Sequence, residues 1–238
     1  MYIAEKRNKG DVKMAEQNIP EVKGYLRDFM LTVPKEIYAC SGIKILGRRI
    51  KSILFSTDAS IIKNTNADAV IAVYPFTPQP VITQAVMTAA DVPVFVGVGG
   101  GLTQGHRVVN LALHAEFQGA LGVVVNAPTK NEIIEELKKS IDIPVVVTVV
   151  SEVDDIDARI RSGADIFNVS AAGKTPEIVA KIKEKYSDFP VIATGGQTGE
   201  TIKRTIEAGA NAITWTPPSN AEVFKDIMAA YRQGLPHP

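Results

Sequence analysis

Eight short apolar runs, each followed by a segment with a helical pattern, constrain the fold of this chain more than any other feature. They begin at Ser52, Ala69, Pro93, Leu121, Pro144, Asp165, Phe189 and Asn211. The runs are continuously apolar rather than alternating, which is typical of parallel strands that are covered on both faces. The sequence therefore predicts eight successive βα units.

Eight units in 238 residues match an α/β fold of the (β/α)8 or TIM-barrel type. The alternative is a doubly wound open sheet. Even spacing, and the lack of a Gly-x-Gly-x-x-Gly turn after the first strand, favour the barrel. We expect residues 1–51 to form an N-terminal helical and strand extension that closes the barrel bottom, residues 52–232 to form the barrel, and residues 233–238 to form a flexible tail. Within the extension, residues 21–30 read as a helix and residues 42–50 as a short strand or hairpin.

Composition excludes several classes of partner. Lys and Arg together number 26, as do Asp and Glu, so no overall field attracts nucleic acid or an anionic membrane. Residues 44–51 form a short basic cluster, but they precede the first barrel strand. No uninterrupted apolar stretch reaches about 18 residues. The single cysteine, Cys40, rules out an internal disulfide, and the polar N-terminus has no apolar signal-peptide run. We expect a cytoplasmic protein with no nucleic-acid or membrane partner.

A pair of glycines, Gly195 and Gly196, stands where the seventh strand gives way to a helix. The first N–H groups of a helix lack partners inside the helix and carry partial positive charge. In barrels, phosphate is often held after strands 7 and 8. The pattern favours an anion site made by the main-chain N–H groups of Gly195, Gly196 and Gln197. The alternative is a tight turn in which glycine only provides a positive φ.

The other candidate binding residues also follow predicted strands, because the active sites of barrels collect at the carboxyl ends of the strands. Three consecutive glycines after strand 3 suit a second anion site, a hinged lid or simply a wide turn. The candidates are Gly99, Gly100, Gly101, Asn126, Asn168, Ser170, Lys174 and Ser219. Lys174 suits pairing with an anionic substrate, or equally a loop position before a helix that begins with Pro176.

Three residues are candidates for acid–base catalysis. Asp58 follows strand 1 and Glu152 follows strand 5, and burial at the barrel mouth would raise the pKa of each carboxyl toward a useful range. Both also suit a helix N-terminus: Asp58 as a cap, and Glu152 in a helix capped by Ser151. His106 follows strand 3 and is either a general acid or base or a solvated residue.

No metal site or cofactor site is predicted. His106 and His114 lie two helical turns apart and lack the i, i+4 spacing of a helical zinc pair. There is no Gly-x-Ser-x-Gly elbow, and Cys40 precedes the barrel strands, so the sequence offers no nucleophile for hydrolysis.

The second half of the chain, roughly residues 142–219, resembles the phosphate-binding TIM barrels. These include sugar-phosphate epimerases, keto-deoxy-phosphogluconate-type aldolases and barrels like inosine-monophosphate dehydrogenase. The likeness rests on the stretches DIFNVSAAG and FPVIATGGQTGETIKRTIEAGANAI and on the spacing between them. It implies that Thr194, Gly195 and Gly196 form a phosphate loop. The first half resembles a bacterial branch of barrel proteins classed only as hydrolases.

Two departures from these families matter. The aldolases place a Schiff-base lysine on strand 6, where this chain has Phe167, Asn168 and Val169. Flavin-binding relatives use glycines after strand 8, where this chain has Pro217 and Pro218, which have no N–H group to donate. The resemblance therefore implies neither aldolase Schiff-base chemistry nor a flavin.

Three functions remain open. The first is an enzyme that performs acid–base chemistry (isomerisation, carbon–carbon cleavage or hydrolysis) on a small phosphorylated or carboxylated metabolite, with Asp58 as the base and His106 or Glu152 assisting. The second is a barrel that senses a ligand without catalysis, which the scarcity of acid–base residues at the mouth favours. The third is a subunit whose helices mainly contact other chains. The apolar stretch 108–125 permits a homo-oligomer.

Overall fold

Ten strands and eight α-helices make up the fold in the computed structural model, which describes residues 20, 22, 24 and 30–237. The predicted helix over residues 21–30 lies almost entirely outside the described residues. The strands are β1 Ile43–Ile45, β2 Arg48–Ile50, β3 Ser52–Phe55, β4 Ala69–Ala72, β5 Val94–Gly99, β6 Gly122–Val125, β7 Val145–Val149, β8 Ile166–Val169, β9 Val191–Thr194 and β10 Ala212–Trp215.

A helix follows every strand from β3 onward. The helices are α1 Ala59–Lys63, α2 Pro80–Ala89, α3 His106–Phe117, α4 Asn131–Ser140, α5 Ile156–Arg161, α6 Thr175–Lys185, α7 Gly199–Glu207 and α8 Asn220–Arg232. Short 3-10 turns cover Lys35–Ala39 and Ala172–Lys174. Each of the eight barrel strands begins within two residues of its predicted start, the largest offset being Val191 against the predicted Phe189.

Strands β3 to β10 close into a barrel in chain order, and β10 pairs with β3. All eight pairings are parallel. The predicted (β/α)8 barrel is therefore confirmed, and the open-sheet alternative is wrong because β3 and β10 are neighbours rather than separate edges.

Alternate residues of each strand point into the barrel, and the others face the helices. The lower interior is filled by apolar side chains from all eight barrel strands: Ile53, Ile71, Phe95, Val124, Val146, Ile166, Ile192 and Ala212. A second cluster lies between the strands and the helices, where Leu54, Phe167 and Ile213 are fully buried. Covering both faces explains why the strands read as continuous apolar runs. Burying each large side chain contributes about 1.5–3 kcal/mol to stability.

A hairpin of β1 and β2 packs against the amino-terminal end of the barrel. It turns at Leu46 and Gly47, both with positive φ. Ile43, Ile45 and Ile50 belong to the same apolar cluster as the residues inside the barrel. The hairpin thus packs onto the apolar interior of the barrel, and the role of residues 1–51 as a whole in closing the barrel bottom stays a prediction. The boundaries at residues 51 and 232, and the mobility of the tail, stay predictions.

Helices α3 and α8 of the outer layer differ in how many of their side chains are buried. Helix α3, part of the stretch that suggested an oligomer, buries Val108, Val109, Ala112 and Ala115 against the barrel. Helix α8 buries none of its side chains, and Phe224 is 63% exposed. Oligomerisation stays a prediction. Within the described residues, no helix combines the length and the apolar character needed to cross a membrane.

Candidate functional site

The upper end of the barrel interior contains a cavity of about 250 Å³. Its lining consists of inward-facing residues near the carboxyl ends of seven strands: Phe55, Ile71, Val73, Asn126, Thr148, Asn168, Ser170, Thr194, Thr214 and Thr216. Seven of these ten side chains carry a hydroxyl or an amide. The cavity is therefore a polar cup above an apolar barrel core.

Strand alternation explains the position of this cup. Residues two apart on a strand point to the same side. Ile192 lies inside the barrel, so Thr194 also points inward, one step closer to the mouth. The same step leads from Ala212 to Thr214 and then Thr216. Polar side chains begin where the inward positions reach the mouth, because solvent and ligand enter there.

A second cavity of about 440 Å³ adjoins the first and shares Val73 and Asn126 with it. The loops after β4 and β5 form its walls: residues 73–78 on one side, and Gly97 with residues 99–103 on the other. Phe76 and Leu102 at its rim are largely exposed. Together the two cavities form a cleft across the carboxyl end of the barrel.

The lining of this cleft is uncharged. None of the residues lining either cavity is Asp, Glu, His, Lys, Arg or Cys. Tyr74 carries the one ionisable side chain in the lining, and its hydroxyl accepts a hydrogen bond from the Gln79 N–H at 3.0 Å. A ligand in the cleft is therefore held by hydroxyls, amides and main-chain groups. The described residues contain no group of three or more His, Cys, Asp or Glu that could hold a metal ion.

Two buried polar atoms of the upper cavity have no hydrogen-bond partner among the described residues. They are the amide oxygen of Asn168 and the hydroxyl of Thr214. The Asn168 side-chain N–H group donates to the Thr148 hydroxyl over 3.4 Å, a long hydrogen bond. Native proteins leave few buried polar groups unpaired, so each of these atoms needs a partner other than the described residues, such as water or a ligand.

The diglycine turn follows directly on Thr194, which lines the cavity. The Gly195 N–H is occupied, because it donates to the Thr214 carbonyl at 3.3 Å. The N–H groups of Gly196 and Gln197 have no partner among the described residues, and both residues are exposed. Thr198 caps helix α7. Two of the three predicted donors therefore stay available, although neither residue itself lines the cavity.

Glycine at position 196 has a structural reason as well. Its φ is +80°, and a Cβ built there would lie 2.5 Å from the Thr201 hydroxyl oxygen. Thr201 belongs to the capping box that begins α7. The turn alternative therefore explains the conformation of Gly196. It does not occupy the Gly196 N–H, which has no hydrogen-bond partner among the described residues, and the anion site stays a prediction.

The triple-glycine loop is a tight turn against β6. The Gly100 N–H donates to the Thr103 carbonyl at 3.0 Å, so it is not available to an anion. At Gly100 φ is +105°, and a Cβ would lie 2.4 Å from Cβ of Asn126. Gly99 is buried, and Gly101 is exposed at the turn. The close approach to β6 is what requires glycine at position 100.

Asp58 is the N-cap of α1. One carboxylate oxygen accepts from the main-chain N–H groups of Ser60 and Ile61, and the other accepts from the Asn220 amide at 2.6 Å. The hydrogen bond from the Ser60 hydroxyl is the largest of the causes that lower the pKa of Asp58. The expectation that burial raises this pKa is wrong, because hydrogen bonds to the ionised form outweigh desolvation.

Glu152 lies outside the cleft, in a surface groove between α5 and α6. Its carboxylate pairs with Lys181 and, at 3.6 Å, with Lys174. The Lys181 hydrogen bond lowers the pKa of Glu152, so the expected rise is also wrong here. The predicted cap was misplaced: Asp155, not Ser151, caps α5 and accepts from the Ala158 N–H.

The remaining candidates divide by position. Asn126, Asn168 and Ser170 come together around the upper cavity, whereas His106, Lys174 and Ser219 line neither cavity. His106 is the exposed first residue of α3. Ser219 caps α8, and its N–H donates to the Glu222 carboxylate, so it adds no free donor after strand β10.

Four threonines line the upper cavity: Thr148, Thr194, Thr214 and Thr216. Thr194 was implied by the resemblance to phosphate-binding barrels, and the other three are missing from the predicted binding set. Each occupies an inward position on its strand. Counting in steps of two along each strand would have identified these inward positions, because alternate residues of a strand point to the same side. The helical spacing and the glycines, on which the prediction was based, do not indicate which strand residues point inward.

Comparisons with known proteins identify the fold. No family model and no curated protein matches the chain. A solved phosphonopyruvate hydrolase matches with a TM-score of 0.60 at 11% identity, covering 81% of this chain and 85% of that one. Dihydrodipicolinate synthase DapA-2 from Bacillus anthracis matches with a TM-score of 0.55 at 18% identity, covering 77% of this chain and 76% of that one. A mandelate oxidase matches with a TM-score of 0.60 at 16% identity, covering 74% of this chain and 68% of that one. These neighbours are TIM-barrel enzymes, and identities this low show a shared fold.

Proposed function

We propose that this protein is an enzyme acting on a small carboxylated or phosphorylated metabolite that binds in the cleft at the carboxyl end of the barrel. The observation that most supports this proposal is that the N–H groups of Gly196 and Gln197 have no partner among the described residues. Both residues follow closely on Thr194, which lines the upper cavity. They would hold the anionic group, while the hydroxyls and amides of the upper cavity bind the rest.

Neutral donors are sufficient for such an anion. Main-chain N–H groups at a helix N-terminus bind phosphate and carboxylate groups without a cationic side chain, and hydrogen bonds to an ionised acceptor are about twice as strong as neutral ones. The names of two fold neighbours refer to phosphonopyruvate and dihydrodipicolinate, both small anions, which motivates this class of ligand.

The proposed chemistry is proton transfer to or from the bound metabolite, as in isomerisation, carbon–carbon cleavage or hydrolysis. His106 is the best placed of the three acid–base candidates. It lies three residues beyond Thr103 of the cavity wall, and its side chain makes no hydrogen bond to a described residue, whereas Asp58 and Glu152 are engaged elsewhere. Asp58 would serve as the base only after releasing the N-terminus of α1.

A second candidate function is ligand sensing without catalysis. The specific observation in its favour is that no carboxylate, imidazole or ammonium group lines the cleft. An enzyme of this design must bring His106 inward, whereas a sensor needs only the binding groups already present.

Crystals soaked with inorganic phosphate test the binding site. The expected result is a phosphate ion within hydrogen-bond distance of the Gly196 and Gln197 nitrogens in the wild type and its loss in Gly196→Ala. Phosphate bound elsewhere, or bound equally in the variant, would contradict the anion site.

Exchange of carbon-bound hydrogen separates the two functions. Pyruvate incubated with the protein in deuterium oxide is followed by proton NMR. The enzyme predicts protein-dependent exchange that His106→Gln abolishes and His114→Gln leaves unchanged, since His114 lies two turns further along α3. Saturable pyruvate binding without any exchange would favour the sensor.

A further inference from the structure

The deep end of the upper cavity has a chemistry of its own. The hydroxyl of Thr214 lies in a side chain that is 93% buried and has no hydrogen-bond partner among the described residues. The amide oxygen of Asn168 is buried and unpaired in the same way. Both residues line this one cavity.

Leaving such atoms unpaired is unfavourable for the empty protein, because they lose their hydrogen bonds to water without replacement. An amide oxygen can only accept a hydrogen bond, whereas a threonine hydroxyl can both donate and accept. A group that satisfies both must therefore donate to Asn168 and either donate to Thr214 or accept from it, and a single hydroxyl can do this.

The surroundings restrict that group further. No charged side chain lines the cavity, and its apolar wall is made by Phe55, Ile71 and Val73. An ionised group at this depth would lose its hydration without gaining a counter-ion, at a large cost. The deep end is thus suited to a neutral group rather than to the anionic end of the ligand.

We propose that Thr214 and Asn168 are specificity-determining residues that bind an uncharged hydroxyl of the ligand. The substrate class is then a hydroxylated small carboxylate or phosphate with its hydroxyl-bearing end deepest in the barrel. The orientation rests on the proposed function, because the Gly196 and Gln197 N–H groups hold the opposite, anionic end.

Matched ligands test this by isothermal titration calorimetry. Glycerol 3-phosphate carries hydroxyls, propyl phosphate has none, and erythritol has hydroxyls without an anion. We expect glycerol 3-phosphate to bind at least roughly ten-fold more tightly than propyl phosphate, since a missing hydroxyl leaves the two buried atoms unpaired. Thr214→Val removes most of this ratio.

Stability provides a second readout. Thr214→Val removes an unpaired hydroxyl from the empty protein at nearly constant volume, so its Tm rises by about 2–4 °C while its preference for hydroxylated ligands falls. Thr129→Val is the matched control. Its hydroxyl is likewise buried and unpaired, but Thr129 lines neither cavity, so Tm rises and the preference stays.

Thr205→Val controls for loss of a paired hydroxyl. Thr205 is buried in α7 and donates to the Thr201 carbonyl at 2.9 Å, so its replacement lowers Tm. If Thr214→Val lowers Tm to the same extent, its hydroxyl is already bonded within the protein and the proposal is overturned.

The ligand panel distinguishes failure of this proposal from failure of the proposed function. Equal binding of the two phosphates, unchanged in Thr214→Val, overturns the hydroxyl subsite and leaves the anion site standing. Binding of erythritol that Thr214→Val abolishes, with no added affinity from phosphate, supports the subsite and overturns the anion site. Binding of none of the three ligands overturns both.

Discussion

The side-chain amide of Asn220 donates a 2.6 Å hydrogen bond to the carboxylate of Asp58. Asp58 caps the first barrel helix, and Asn220 is the first residue of the last one. Because 162 positions separate them, the bond joins the two ends of the helical ring at the mouth of the barrel. The residue that the sequence offered as a catalytic base thus has a structural role that closes the ring.

Replacing Asp58 separates capping from catalysis. Asp58→Ala is expected to lower the free energy of unfolding by about 1 kcal/mol, because an uncapped helix leaves its first N–H groups unpaired. Asp58→Asn retains a capping oxygen and is expected to cost much less. Urea unfolding measures both. Full turnover in Asp58→Asn would exclude Asp58 as the catalytic base.

The same carboxylate gives a pH dependence of known sign. Hydrogen bonds from Ser60, Ile61 and Asn220 lower its pKa in the folded protein, so the ionised form contributes stability above the pKa of the unfolded chain. That contribution is lost as pH falls through the lowered folded value. The stability difference between wild type and Asp58→Ala should therefore shrink between neutral pH and about pH 3. A constant difference would contradict this.

Gly196→Ala combines backbone strain with a clash. Alanine at its positive φ costs about 1–2 kcal/mol, and contact with the Thr201 hydroxyl adds to that. Gly119→Ala is the matched control, because its φ is +87° and a Cβ there meets nothing within 4 Å. Thermal unfolding should show a larger loss for Gly196→Ala. Equal losses would mean that Thr201 moves aside without cost.

Arg159 holds the loop that follows β6 and carries Asn126 into the cleft. Its guanidinium donates to the carbonyl of Thr129, to the carbonyl of Ala127 at 2.7 Å and to the side chain of Asn131 at 2.9 Å. Arg159→Met is expected to lower the free energy of unfolding by about 2 kcal/mol, since three acceptors lose a charged donor.

The neighbouring Arg161→Met is the control for that change. Arg161 is exposed, and its side chain donates no hydrogen bond to a described residue, so a surface effect within about 0.5 kcal/mol is expected. Chemical denaturation compares the two variants. A similar small effect of both would show that the three bonds of Arg159 contribute little.

Cys40 is expected to be inert in the folded protein. It is 1% exposed, and burial raises the pKa of its thiol to about 11. The thiolate is the reactive form, so the native protein should not react with a chromogenic disulfide reagent at about pH 8. After denaturant is added, one thiol per chain should react and release one equivalent of the coloured product. Rapid reaction of the native protein would show that the segment around Cys40 opens. A Cys40→Ala protein supplies the blank.

The barrel could be predicted because each part of its pattern is local. A strand covered on both faces must be apolar along its length, and the Val-rich run around Val146 shows this directly. Helix ends are marked in the same way: Gly163 and Gly209 follow the last helical turn with positive φ, as expected of C-terminal caps.

The site was predicted only in part. The search for polar residues near the strand ends led to Asn126 and Asn168, which both line the upper cavity. Asp58 and Glu152 were chosen for chemistry alone. Which partners they find depends on Asn220 and Lys181, 162 and 29 residues away, and no local pattern specifies such pairings.

By itself the sequence determined the eight βα units, the start of each barrel strand to within two residues and the closed α/β barrel, because hydrophobic periodicity and turn residues act over a few neighbouring positions. Only the tertiary structure decided that the carboxylates serve as a cap and as an ion pair, and that the mouth is lined by neutral threonines and asparagines. The physical reason is that barrel closure brings inward positions of seven strands together. The partners of Asp58 and Glu152 likewise come from other helices, which only the closed ring places beside them.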